Sequence, residues 1–323
     1  MRYWRGLDAT PGDLGRTVVT IGMYDGVHRG HQALIGAAVD RARALRRPSL
    51  LLTFEPHPAE VIRPGSHPAI LTSIDRKTEL VADLGVDDMC VLPFTQEFMR
   101  LSPGSFTHTV LVEHLHAAQV VVGQNFTYGH KAAGTVQTLA EEGRRFGFTV
   151  EGVPLRGVEG DGDEVTISST YIRACVAAGD MESAARALGR PHRVDGVVVR
   201  GDRRGRELGY PTANVETPAY TAVPADGVYA GHLVLRDPRT GRSKERFPAA
   251  VSVGTNPTFE GNRRTVEAYV LDFDGDLYGE HVGVEFASRL RAMAAFPDIP
   301  SLIAAMDDDI ARTRALLDVP PAG

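Results

Sequence analysis

The residues whose types and spacing most directly suggest chemistry are two histidines, His28 and His31. They end the string G-M-Y-D-G-V-H-R-G-H, which starts at Gly22 and joins a valine-rich strand to a helix. Two imidazoles on one side of a first helical turn can donate hydrogen bonds to phosphate oxygens as negative charge builds up there. The glycines permit close backbone approach, and the helix start offers unpaired N–H groups. The string therefore predicts a site for phosphoryl or nucleotidyl transfer; half of a metal site is the alternative, but no third ligand lies nearby in sequence.

A second group of candidate ligands lies in I-S-S-T-Y-I-R, which ends at Arg173. Ser169 and Thr170 stand where a helix is expected to begin, so their hydroxyls can cap that helix or bind a phosphate. Arg173 follows about one helical turn later and is the stronger candidate for a contact with a triphosphate.

A third group lies in the second half of the chain. Glycines at 201, 205 and 209 form a loop between two predicted strands and precede Thr212 and Asn214. These two residues are two apart in a strand and therefore project from one face. Their hydroxyl and carboxamide oxygens suit Mg²⁺ held together with nucleotide phosphates.

Glu267 is the candidate base of that second site. A carboxylate on a strand beside a metal–phosphate site can accept the proton of a primary alcohol. Taken alone, Glu267 fits a solvated strand residue better, and only the motifs around it favour the catalytic interpretation. The acidic runs at 272–276 and 307–309 are interpreted as a hairpin and a solvated helix face, without a metal.

Length and composition limit the class of protein. The 323 residues are enough for two domains, and 43% hydrophobic with 24% charged residues is typical of a globular protein. A net charge of −6 argues against a broad nucleic-acid surface. The N-terminus lacks the apolar core of a signal peptide, so we expect a cytoplasmic protein.

The elements that must position these residues change character along the chain. The first half alternates apolar runs with amphipathic stretches: strands at 16–21, 49–54, 89–92 and 119–122 and helices near 74–84 and 136–146. This alternation predicts a doubly wound, Rossmann-like parallel sheet. Beyond residue 191, six runs separated by Gly, Asp and Pro predict an antiparallel β-barrel, followed by a helix at about 299–317.

The string at Gly22 resembles a family signature. Its H-x-G-H core is shared across a nucleotidyltransferase superfamily that includes class I aminoacyl-tRNA synthetases, but the fuller string looks like the flavin-specific form. The segments at 122–129 and 167–173 resemble two further motifs of that form. A synthetase would require a K-M-S-K-S loop, which the sequence does not contain.

The glycine-rich segment of the second half is similar to the riboflavin kinase signature G-x-x-x-G-R-x-L-G-x-P-T-A-N at every defined position. Shorter segments around Asn256 and Glu267 also resemble that family. Together, the two halves resemble the bacterial bifunctional riboflavin kinase/FAD synthetases. Two alternatives stay open: a nucleotidyltransferase for another phosphorylated substrate, and a flavin-binding regulator with degenerate catalysis.

The resemblance implies roles for particular residues. It makes His28, His31 and Glu267 catalytic, and Thr212 and Asn214 the ligands of Mg²⁺. The residues implied in nucleotide or flavin binding are Gly22, Tyr24, Asp25, Gly26, Asn125, Ser169, Thr170, Arg173, Gly201, Gly205, Arg206, Gly209, Pro211 and Asn256.

The resemblance also implies the ligands and the division of labour. We expect FMN adenylylation in residues 1–186 and riboflavin phosphorylation in residues 187–323. ATP, riboflavin, FMN and FAD are the expected ligands, with Mg²⁺ accompanying ATP and the flavins acting as substrate and product. No nucleic acid or membrane partner is expected, and self-association is expected to be at most weak or transient.

Overall fold

The computed structural model describes residues 1–65, 67–154, 157–159, 164–201, 209–237, 242–258 and 261–320. The chain folds into two compact units, Met1–Pro68 with Ile74–Ile167 and Ala69–Ser73 with Ser168–Gly323. The domain boundary at residues 186 and 187 stays a prediction. Within the described residues, no helix combines the length and apolar composition that a bilayer span requires.

The first unit is built on a parallel sheet with helices on both faces. Its described strands are β1 (Arg2–Arg5), β2 (Thr17–Ile21), β3 (Ser49–Glu55), β4 (Asp88–Pro93), β5 (Ala117–Gly123), β6 (Thr127–Tyr128), β7 (Gly134–Thr135), β8 (Thr149–Val153), β9 (Gly157–Glu159) and β10 (Glu164–Thr166). Six of them form the sheet, in the order β1-β4-β3-β2-β5-β8. The predicted doubly wound parallel sheet is confirmed.

The helices of this unit cover the sheet. They are α1 (Arg29–Leu45), α2 (Pro58–Ile62), α3 (Ile74–Asp83), α4 (Gln96–Met99), α5 (Pro103–Phe106) and α6 (Val136–Phe146), with a π-helical stretch at Thr107–His114 and a 3₁₀ turn at His130–Ala132. Successive residues of β3 enter different cores: Leu50 and Leu52 pack on one side of the sheet and Leu51 on the other. Burial on both faces explains why the central strands are continuous apolar runs rather than alternating ones.

The second unit is a closed six-stranded antiparallel barrel with helices, as predicted. Its described elements are α7 (Ser169–Ala178), α8 (Met181–Leu188), β11 (His192–Val199), β12 (Ala213–Glu216), β13 (Gly227–Arg236), β14 (Ser243–Thr258), β15 (Gly261–Val270), β16 (His281–Arg291) and α9 (Ile299–Leu316). Alternate residues fill the interior, such as Val215, Val266 and Val284, each at most 5% exposed. The residues between them project outward.

A short segment of the chain, Ala69–Ser73, belongs to this second unit although it lies between α2 and α3. Its Ile70 pairs in parallel with Thr221: the Ile70 N–H donates to the Tyr220 carbonyl at 2.7 Å, and the Ala222 N–H donates to the Ile70 carbonyl at 2.9 Å. The Ser73 hydroxyl donates to Asp195 at 2.7 Å. Local sequence patterns could not predict this pairing, because it joins residues about 150 positions apart.

Candidate active sites

The loop between β2 and α1 presents the two predicted catalytic histidines at the carboxyl edge of the sheet. His28 is the N-cap of α1: its Nδ1 accepts a hydrogen bond from the His31 backbone N–H at 3.2 Å. In the neutral ring, a nitrogen that accepts leaves the proton on the other nitrogen. The cap therefore fixes Nε2 as the hydrogen-bond donor of His28.

The two imidazoles are packed as a pair. Their ring centroids are 3.6 Å apart with an angle of 18° between the planes, and the Tyr24 ring meets His31 edge-on at 5.2 Å. A Cβ at Gly30 would lie 3.2 Å from the His28 ring, and a Cβ at Gly22 would lie 3.0 Å from the Tyr24 ring. The glycines of the motif are thus required by ring packing.

The loop backbone is held in unusual conformations. Tyr24 has φ 49°, Gly26 φ 84° and Val27 φ 40°. Positive φ is costly for a β-branched residue and survives only where neighbouring contacts hold it. Here the Gln32 side chain donates to the Val27 carbonyl at 2.9 Å, and the Tyr24 hydroxyl lies 2.6 Å from the Thr20 hydroxyl. Strain of this kind is characteristic of a functional loop.

His31 is held neutral by its surroundings. Burial, with smaller contributions from His28 and Lys77, lowers the pKa of His31 well below its usual value. Its Nδ1 is buried and has no hydrogen-bond partner within the described structure. Buried polar atoms normally have a partner, so this nitrogen is available to a ligand.

Asp25 and Asn125, two predicted ligand residues of this unit, differ in exposure. Asp25 is only 4% exposed and lies inside the loop. Asn125 is exposed and follows β5, the strand that pairs with β2 in the sheet. The carboxyl ends of parallel neighbours meet at one edge, so Asn125 lies at the same edge as the histidine loop.

Lys77 is a residue that the sequence analysis missed. It lies on α3, is 5% exposed, and its Nζ donates to the Met23 carbonyl at 2.7 Å. A lone lysine on an amphipathic helix is normally solvated, so periodicity gave no signal. The available signal was its rarity: Lys77, Lys131 and Lys244 are the only lysines among 35 basic residues.

The segment at 167–173 folds with the second unit from Ser168 onward, and its cap differs from expectation. Ser168 is the N-cap of α7, accepting from the Tyr171 N–H at 3.1 Å. Ser169 and Thr170 are therefore the first helical residues and neither is the N-cap. Arg173 is half-buried and its Nε donates to the Ala69 carbonyl at 2.6 Å. One edge of its guanidinium is thus engaged within the second unit.

Two of the predicted kinase residues lie together on the outer face of the barrel. Asn214 on β12 lies directly opposite Glu267 on β15 in the antiparallel register. Their neighbours Ala213, Val215, Val266 and Ala268 point into the barrel and are buried. Directly opposed residues share one face with Cβ atoms about 5 Å apart. The carboxamide and the carboxylate therefore lie side by side.

The Asn214 side chain lies close to Gly201, the first glycine of the glycine-rich segment. A Cβ at Gly201 would collide with the Asn214 carboxamide, so only glycine permits this approach. Thr212, Asn214, Gly201 and Pro211 line a cavity of about 690 Å³ together with aromatic residues such as Tyr269. Glu267 is not among the described residues that line this cavity.

Some predicted positions cannot be placed in the same way. Gly205 and Arg206 lie outside the described residues, as does the side chain of Asn256. Gly209 is described, is exposed and has φ 89°, a conformation that favours glycine. Among the described residues, no group of three or more His, Cys, Asp or Glu side chains could hold a metal ion.

Comparison with known proteins matches each half of the chain to a family. The family model for FAD synthetase matches residues 10–171, and the one for riboflavin kinase matches residues 188–317. The histidine motif at 22–31 lies within the first match, and the glycine-rich segment at 201–214 lies within the second.

Relatives that carry both activities in their name match the chain over most of its length. Three of them are called bifunctional riboflavin kinase/FMN adenylyltransferase. The protein of Pseudomonas fluorescens is 38% identical over 98% of both chains. That of Listeria monocytogenes is 36% identical over 92% of this chain and 91% of its own. That of Escherichia coli is 34% identical over 90% of both.

A solved structure supports the same fold. It belongs to Streptococcus pneumoniae, is described as a macrolide-efflux protein, and is 30% identical in sequence. The two folds agree with a TM-score of 0.84 over 97% of this chain and 99% of the other.

Proposed function

The chain belongs to the family of bifunctional riboflavin kinase/FMN adenylyltransferases, enzymes of flavin cofactor synthesis, and from this premise we propose how its residues carry the two reactions. The match of two family models to the two halves, in order, carries the assignment of both activities. One reaction transfers a phosphoryl group from ATP to riboflavin and yields FMN. The other joins FMN to the AMP part of ATP, yields FAD and releases pyrophosphate.

For phosphorylation, we propose Glu267 as the general base. The 5′-hydroxyl oxygen of riboflavin forms a bond to the γ-phosphorus of ATP while the bond from that phosphorus to the β,γ-bridging oxygen breaks. ADP leaves, and the hydroxyl proton passes to the Glu267 carboxylate. The position of Glu267 opposite Asn214 supports this role, because it sets the base beside the group proposed to organise the phosphates.

For the Mg²⁺ that accompanies ATP, the donor set fits. Thr212 and Asn214 offer two hard oxygen ligands, and so few protein ligands leave positions on Mg²⁺ for waters and phosphate oxygens. Both residues line the cavity of the barrel unit, and any side chain at position 201 would collide with the Asn214 carboxamide. We propose that these two residues hold the ion, which when bound neutralises charge on the phosphates. Pro211 and the glycines at 201, 205 and 209, with Arg206 and Asn256, are proposed to contact the nucleotide or flavin.

For adenylylation, we propose that positioning and charge neutralisation carry the step, through hydrogen-bond donors of the chain and the Mg²⁺ that accompanies ATP. A phosphate oxygen of FMN forms a bond to the α-phosphorus of ATP, and the bond to the α,β-bridging oxygen breaks as pyrophosphate leaves. The attacking oxygen is already ionised, so no strong base is needed. The Nε2–H of His28, fixed by its cap, and the neutral ring of His31 donate to phosphate oxygens. Gly22, Tyr24, Asp25, Gly26 and Asn125 shape the same edge; Ser169, Thr170 and Arg173 are proposed as further phosphate ligands.

The test is product analysis with the full-length protein. Riboflavin and Mg-ATP should give FMN first and FAD later, and FMN with Mg-ATP should give FAD and pyrophosphate in equal amounts. CTP in place of ATP should give no dinucleotide. Formation of FAD only from added FMN, never from riboflavin, would contradict the kinase assignment, and the reverse would contradict the adenylyltransferase assignment.

A further inference from the structure

Lys77 is a buried ionisable group beside the histidine loop that the proposed chemistry leaves unused. Its side chain reaches from α3 to the loop between β2 and α1, where Nζ meets the Met23 carbonyl at 2.7 Å. The Thr53 hydroxyl of β3 donates to the same carbonyl at 3.2 Å. Two neighbouring elements thus hold one backbone oxygen of the loop, one residue before its first positive φ.

The need for such an anchor follows from the loop itself. Tyr24 and Val27 are in the left-handed region, where a β-branched residue is strained. A strained backbone persists only when surrounding bonds fix it. The positions of the two histidine rings depend on this backbone, because the His28 side chain caps α1 and the His31 ring stacks on the His28 ring with centroids 3.6 Å apart.

The charges around Lys77 favour an ammonium at this position. Burial lowers the pKa of Lys77, and the nearby carboxylates of Asp25 and Glu55 act to raise it. Asp25 is itself 4% exposed, and a buried carboxylate is stabilised by an opposite charge close to it. Nearly all basic residues of this chain are arginines, but position 77 is a lysine. Its ammonium is a compact point charge, whereas the guanidinium of arginine is a planar fork with a different hydrogen-bond geometry.

We propose that Lys77 is a positioning residue of the adenylyl-transfer site: it anchors the histidine loop through the Met23 carbonyl and supplies a fixed buried positive charge beside Asp25. This inference rests on the proposed roles of His28 and His31. The positive charge also disfavours protonation of His31, whose surroundings include His28, Lys77 and the Tyr24 ring. Lys77 touches no reacting atom; it acts through the loop.

The test compares three variants of the full-length protein. Lys77→Met removes the charge with little change in volume, and Lys77→Arg retains it. Lys244→Met is the matched control, because Lys244 is 63% exposed on the barrel. In Lys77→Met, kcat for FMN adenylylation should fall about 10-fold to 100-fold, the range that a small misplacement of reacting groups produces. Riboflavin phosphorylation by the same polypeptide should stay within about 2-fold of wild type, which reports that the second unit is intact.

A second readout separates charge from simple packing. Proton NMR of the His31 ring, assigned from its loss in His31→Asn, should show a higher titration midpoint in Lys77→Met than in wild type. Lys77→Arg should keep the low midpoint. An unchanged midpoint in Lys77→Met, or equal losses of both activities, would overturn the proposal.

His28→Ala is measured in parallel to separate the two levels of inference. If His28→Ala loses FAD formation and Lys77→Met retains full adenylylation, the proposed role of Lys77 is contradicted and that of His28 is not. Retained FAD formation in His28→Ala would remove the histidine site, and the role of Lys77 with it.

Discussion

The two proposed sites are built in opposite ways. The adenylyl-transfer site is a strained loop at a sheet edge, with His28 and Asp25 each at most 5% exposed. The kinase site lies on the outer face of a barrel, where Glu267 and Asn214 are half-buried and belong to regular strands. This difference between the two sites matches the nucleophile of each proposed reaction. An ionised phosphate needs oriented donors but no base, and burial makes such donors effective, whereas an alcohol needs a base.

The largest expected effect is on the rate of phosphorylation at the kinase site of the second unit. Glu267→Ala should lower kcat for riboflavin phosphorylation by about 10²-fold to 10⁴-fold, the usual contribution of a general base. Adenylylation of added FMN should be unchanged. Rates are measured by chromatography of each product, with Glu216→Ala as an exposed strand control. Full phosphorylation by the Glu267 variant would remove it as the base.

The next largest effect is expected at the adenylyl-transfer site. His28→Ala removes both the cap of α1 and the Nε2 donor, so FAD formation from FMN should fall about 10²-fold to 10³-fold. FMN formation from riboflavin should persist. His116→Ala, also in the first unit but bonded to the Leu14 carbonyl at 2.8 Å, is the control. Parallel loss of both products would argue against separate sites.

A smaller effect tests whether the barrel site is as sensitive to geometry as the buried one. In Gly201→Ala the new methyl group collides with the Asn214 carboxamide. Displacement of this ligand should lower phosphorylation about 10-fold and leave adenylylation intact. Gly36→Ala is the matched control, because its added Cβ meets no atom within 4 Å. Unchanged kinetics in Gly201→Ala would mean that Asn214 need not be held in place.

The smallest effect concerns the stability of the buried loop. Tyr24→Phe removes the hydroxyl that bonds Thr20 inside the core and should lower the free energy of unfolding by about 1 kcal/mol. Tyr3→Phe, at a residue that is 42% exposed, should change it by less than about 0.5 kcal/mol. Denaturant unfolding followed by fluorescence measures both. Equal stabilities would show that the Tyr24 hydroxyl does not brace the loop.

Local patterns predicted most of the fold. The strand expected at 16–21 is Thr17–Ile21, and the helix expected at 299–317 is Ile299–Leu316. A cap can be predicted from sequence where one hydroxyl stands directly before a helix-starting proline: Ser102 precedes Pro103 and accepts from the Ser105 N–H at 3.0 Å. Where three hydroxyl residues are adjacent, at 168–170, spacing could not single out Ser168 as the cap.

The features that sequence did not predict depend on distant partners. β1 escaped prediction because only Trp4 of its four residues is buried, and it exists through parallel pairing with β4. The role of Lys77 depends on a carbonyl 54 positions earlier. Within the candidate sites, motifs identified His28, His31, Asn214 and Glu267, but they could not show the stacking of the two rings or the strand register that sets Asn214 opposite Glu267.

The assignment of Ala69–Ser73 to the second unit affects how the two units could be separated as fragments. Because this stretch is folded with the barrel, the backbone crosses from one unit to the other three times, after Pro68, after Ser73 and after Ile167. Cleavage at any one of these points leaves two covalent connections intact. A fragment that starts at residue 187 lacks both the stretch that pairs with Thr221 and the Ser73 hydroxyl bonded to Asp195. The two units are therefore connected by three chain crossings rather than by one linker.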